Sequence, residues 1–209
     1  AEMAWVKRVE HLALRQTVGD FDLGRLEAAL PELVGYAAAA RDVRRVPPFL
    51  HDQGVHFVIV PHLSKTYLDG AAFRLNGNPV VAMSLRYDRI DNFWFTLLHE
   101  LAHIVAGHEG AYLDDLDEAA DTPEEVEANR LARDWLIDPE ALEAFVADTD
   151  PYFSREKVAA FGRHAARHPG IVVGRLQHEE VIPWSHLRSF LVEVSPKLQE
   201  WLDTPGPRA

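Results

Sequence analysis

Apolar residues in the first part of the chain recur three and four positions apart. In "FDLGRLEAALPELVGYAAAARDV" they fall at Leu23, Leu26, Leu30, Leu33 and Val34, the spacing of one buried helical face. Residues 4–46 are therefore predicted to be helical, with Pro47-Pro48 ending that part. A short helix, "FLHDQG", follows and is stopped by Gly54. The period then shortens. "VHFVIVP" (55–61) has the β-branched and aromatic content of a strand, and "GAAFRLNGNPVVAMSL" (70–85) reads as two strands joined at Asn76-Gly77. The sheet should be small, of three or four strands.

From Asp91 the helical period returns. Asp91 can cap a helix running to about Ala106, and Gly107 can end it. An acidic loop spans 109–123. Thr122 and Pro123 then suit the cap and first turn of a helix, "EEVEANRLARDWLI", that stops before Asp138-Pro139. Short helices continue to Leu202. Helix, small sheet, then helices is an α+β order. The chain divides into an N-terminal helical segment (1–45), a core (46–150) and a C-terminal helical extension (151–209).

Composition narrows the chemistry. A formal net charge of -12 disfavours general phosphate binding, so nucleic acid is not the expected direct partner. The basic run at Arg41, Arg44 and Arg45 reads as a solvated helix end. Absence of cysteine excludes disulfides, thiolate metal sites and cysteine nucleophiles, and fits a reducing cytoplasm. No apolar run reaches the roughly 20 residues of a membrane span, and no secretory signal opens the sequence.

The helix predicted from Asp91 carries His99-Glu100-Leu101-Ala102-His103 amid Phe95, Leu97, Leu98, Ile104 and Val105. Buried His, Glu and His need a strong compensating partner, and a metal supplies one. Residues i and i+4 share a helix face, so His99 and His103 can hold one zinc, with Glu100 placed to take a proton from water. A chain of this composition yields roughly 0.05 such matches by chance. A catalytic zinc needs a third protein ligand and one open position. Taking Ala128, Leu131, Ala132 and Trp135 as the core face of the next helix, Glu124 lies about 20° and Glu127 about 40° from Leu131, while Glu125 lies about 120° away and points outward. Periodicity leaves Glu127 and Glu124 both open. His62, Tyr67, Tyr87, His108 and Tyr112 are candidates to line the cleft or bind an oxyanion. Asp114, Asp115 and Asp117 lack the spacing of a calcium loop. His164, His168 and His178 read as structural or exposed, and no nucleophile elbow or phosphate loop is present.

Taken together, "RIDNFWFTLLHELAHIVAGH" and "EVEANRLARDWLIDP" resemble the ImmA/IrrE family of zinc metallopeptidases, with further likeness in "LDGAAFRL" and "HPGIVVGRLQHE". The resemblance covers roughly residues 45–190 and extends to the branch fused to Xre-type helix-turn-helix regulators. It departs at Leu131-Ala132, where the family usually has Phe-Ala. It implies a zincin-like, gluzincin-type fold, with the small sheet packed on the active-site helix. It also implies His99 and His103 as zinc ligands, Glu100 as general base, and Glu127 as third ligand with Glu124 in reserve. Manganese or iron are alternative ions, since three N/O ligands discriminate weakly. The implied substrate is a protein, an Xre-family repressor, in stress or toxin–antitoxin regulation. Residues 1–45 would link to a helix-turn-helix lying outside this sequence. An extended substrate would pair with an edge strand, assigned here to "VVAMSL". The alternative is a metal-binding sensor domain of a regulator that cleaves little or nothing.

Overall fold

The computed structural model describes residues 2–61, 68–108, 112–114 and 122–203, with residues 112–114 described by their backbone. The elements in order are α1 (Glu2–Ala13), α2 (Leu23–Gly35), α3 (Val46–Asp52), β1 (His56–Ile59), β2 (Gly70–Leu75), β3 (Asn78–Met83), α4 (Ile90–Val105), β4 (Tyr112–Asp114), α5 (Pro123–Leu136), α6 (Pro139–Thr149), α7 (Arg155–His164) and α8 (Pro169–His178). This is an α+β architecture. Short 3-10 segments lie at Tyr36–Ala38 and Ala40–Arg45 and near the C-terminus.

Two details of the N-terminal part differ from expectation. Helix does not run on through residues 4–46: α1 and α2 are separate, and Asp22 caps α2 by accepting from the Arg25 N–H at 2.7 Å. Pro47 and Pro48 open α3 instead of closing the preceding part. Their missing N–H groups cost nothing in a first helical turn, where those donors have no partner anyway.

The sheet order is β1-β3-β2-β4. β2 and β3 form the expected hairpin, turning at Asn76 (φ 52) and Gly77 (φ 93), the left-handed pair that a two-residue turn demands. β1 runs parallel to β3, and β4 antiparallel to β2. β3 is therefore interior, which corrects the assignment of "VVAMSL" to the edge. A local pattern marks a strand but not its neighbours, and both backbone edges of β3 are already paired.

Alternation along the strands builds two apolar layers. Phe57, Ile59, Ala72, Val81 and Met83 face the larger core with α4, and Val58, Ala71, Val80 and Ala82 face α1. The larger cluster contains Leu26, Leu97, Val158 and Leu198, so it includes residues of all three segments distinguished in the sequence. On the other side, Trp5 is fully buried and its indole N–H donates to the Val60 carbonyl at 2.8 Å. Trp5→Ala should cost about 3–5 kcal/mol of unfolding free energy in a urea titration. It should leave metal content unchanged, because the indole packs on the sheet face away from α4.

The C-terminal residues complete the β1 side. Leu202 bridges to Ile59, the Asp203 N–H donates to the Ile59 carbonyl at 2.9 Å, and Arg8 grips the Asp203 carboxylate at 2.6 and 2.8 Å. Among the described residues, no helix is long and apolar enough to cross a membrane.

Candidate metal centre

α4 is buried on nearly every side, through Phe93, Trp94, Leu97, Leu98 and Leu101. Arg89, not Asp91, occupies the N-cap position, without a side-chain cap bond; Asp91 sits in the first turn and is held by the Arg89 guanidinium at 2.6 and 3.1 Å. At the other end Gly107 takes φ 71. Its N–H bonds to the Ile104 carbonyl at 3.3 Å, and the His108 N–H to the His103 carbonyl at 3.0 Å. This paired closure is a Schellman motif, and it folds His108 back over the last turn.

His99, Glu100 and His103 are all exposed by 1% or less. The two Nε2 atoms lie 3.1 Å apart, and each lies 3.3 Å from an oxygen of Glu125. Among the described residues these three side chains form the group able to hold a metal ion, their ligand atoms all within 4.8 Å of one another. Ligands about 2.0–2.1 Å from a tetrahedral ion sit about 3.3–3.4 Å from each other. Two neutral nitrogens and one carboxylate oxygen at this spacing fit zinc with one position left open.

The structure thus brings Glu125 to the imidazoles, and not Glu127 or Glu124; the expected outward orientation of Glu125 is corrected. The reason lies in α5. Its buried residues are Ala128, Ala132 and Leu136, whereas Leu131 and Trp135 are only partly buried. Measured from the centre of that alanine face, Glu125 lies about 20° away, Glu124 about 80° and Glu127 about 140°. Small side chains, not the largest apolar ones, mark where α5 meets α4. The cap also fixes the phase, since the Thr122 hydroxyl accepts from the Glu125 N–H at 3.2 Å.

Glu127 lies elsewhere. Its side chain is half exposed and its Oε2 is 3.3 Å from His108 Nε2. The Nδ1 of His108 is in turn 2.9 Å from the Nδ1 of His103. Of the other cleft candidates, Tyr87 is partly exposed beneath the Arg86 guanidinium, 5.0 Å from its ring centroid. His62 and Tyr67 lie outside the described residues, and Tyr112 begins β4. His178 is exposed, within the expectation for it, with its ring centroid 6.3 Å from that of Phe95, which is itself 6.1 Å from His99.

Glu100 owes its place to Gly70, a residue of the "LDGAAFRL" stretch for which the sequence predicts no role at the site. Gly70 opens β2, and a Cβ there would lie 2.0 Å from Glu100 Oε1 and 2.9 Å from Thr96 Cγ2. Only a bare α-carbon lets the carboxylate pack against the sheet. A family model described as Peptidase_M78, IrrE N-terminal-like domain, matches residues 53–162, just over half of the chain. Comparison with curated proteins gave no match.

Proposed function

Because the chain belongs to the Peptidase_M78, IrrE N-terminal-like family, we propose that it is a zinc-dependent endopeptidase that hydrolyses a peptide bond in a protein partner. The observation that carries this reading is the convergence of two buried imidazoles and the Glu125 carboxylate at the separations of a tetrahedral three-ligand site. His99, His103 and Glu125 hold the ion in this proposal, in a zincin-like arrangement. An ion held there would supply Lewis acidity, polarising a carbonyl oxygen and lowering the pKa of water so that hydroxide is available near neutral pH. Glu100 removes the proton of the attacking water and returns it to the leaving amine. Its burial against Gly70 keeps the carboxylate in one place and bulk water away. β4 is last in the strand order and pairs with β2 at Gly70↔Asp114, so a substrate segment added along its outer edge would run past the Glu100 side of the site. The proposed substrate is a helix-turn-helix repressor of the Xre type, as the family resemblance implies.

The test is incubation of the zinc-loaded chain with a denatured proteome-derived peptide mixture and with candidate repressors, read by mass spectrometry. Cleavage that stops with a chelator and returns with zinc is the expected result. Stoichiometric zinc with no new termini in any substrate would replace the peptidase with a metal-holding regulatory domain.

A further inference from the structure

Beyond the ligands, the geometry points to an outer chain, His103–His108–Glu127, that fixes the His103 imidazole in the form presenting its Nε2 lone pair to the ion. This inference rests on the metallopeptidase reading above. A neutral imidazole carries one N–H and one lone pair. If Nε2 of His103 faces the ion, Nδ1 bears the proton and needs an acceptor. His108 Nδ1 stands 2.9 Å away. To accept there, His108 must carry its own proton on Nε2, and Glu127 Oε2 lies 3.3 Å from that atom. One arrangement of protons satisfies all three groups, and it ends on a carboxylate.

The local sequence builds this chain. The Schellman closure at Gly107 returns His108 onto His103 through the backbone bond between those same two residues. α5 then reaches the histidines twice, with Glu125 at the ion site and, about 160° round the helix, Glu127 at His108. Exposure rises outward, from 1% at the His103 side chain to 9% at His108 and 50% at Glu127. Glu127 is therefore a positioning residue that acts through His108. The Glu127 side chain is half exposed, so losing its hydrogen bond to His108 should leave the metal-free chain folded.

Zinc affinity, measured by competition with a chromophoric chelator on the full chain, tests this. His108→Ala and Glu127→Ala should each weaken zinc by about 10–100-fold. The double variant should be no weaker than His108→Ala alone. Glu127→Gln keeps an acceptor and should recover part of the loss, while melting of the metal-free Glu127→Ala and Glu127→Gln chains stays at the parent value. Long-range 15N–1H spectra of the zinc-loaded parent should place protons on His103 Nδ1 and His108 Nε2. Unchanged affinity in both single variants, or additive losses in the double variant, would overturn the chain of positioning. A parent that binds no zinc would take down the metallopeptidase reading itself, and so is told apart from failure of this inference alone.

Discussion

Replacing Glu125 by alanine should give a chain that loses its ion on dialysis, while the Glu127→Ala chain still fills when zinc is in excess. The contrast follows from position. Glu125 offers one oxygen to each imidazole at 3.3 Å, whereas among the described residues Glu127 meets His108. Without Glu125 the site keeps two imidazole nitrogens and no carboxylate ligand for a divalent cation. The loss should exceed the roughly 100-fold upper range typical of an outer-sphere residue. Elemental analysis of the dialysed variants, with zinc titration beside it, reads the result directly. Retention of one zinc by Glu125→Ala and its loss from Glu127→Ala would restore Glu127 as the third ligand.

Glu100→Gln should keep the ion and lower turnover by about 10²–10⁴-fold, the span attributed to general acid–base catalysis. The amide preserves the shape of the side chain and removes its capacity to hold a proton in transit. Gly70→Ala makes the same point without altering any ionisable group. A Cβ 2.0 Å from Oε1 must displace the Glu100 carboxylate, or else the start of β2. Zinc content should stay near one per chain while single-turnover cleavage falls. Full activity in Gly70→Ala would show that the observed seat of Glu100 is not the one the reaction uses.

Much of this site is legible in the residues. The H-E-x-x-H spacing, the apolar surroundings of α4, the Asn76-Gly77 turn and the Thr122-Pro123 start of α5 are local features, fixed by side-chain periodicity and turn chemistry. The rest depends on partners distant in sequence. The orientation of Glu125 depends on the phase from which α5 is measured: counted from Leu131 it points outward, whereas the buried face centres on Ala128, Ala132 and Leu136 and leaves Leu131 and Trp135 partly exposed. The interior place of β3 follows from the parallel pairing of β1 across it, which alternation within one strand does not encode. Gly70 looks like any strand-opening glycine until Glu100 is seen against it. The covering of the sheet by α1 likewise needs Trp5 and Val60, 55 positions apart.

The bridge of Leu202 to Ile59, with the Arg8–Asp203 pair beside it, has a bearing on how the molecule behaves in company. A bare strand edge is a template on which other chains can add and aggregate. At β1 that template is occupied at Ile59 by the protein's own C-terminal residues, held in place from α1. A chain cut before Leu202 would keep His99, Glu100, His103 and Glu125, yet uncover the backbone of Ile59 at the end of the apolar strand "HFVI". Solubility would then fail before chemistry did.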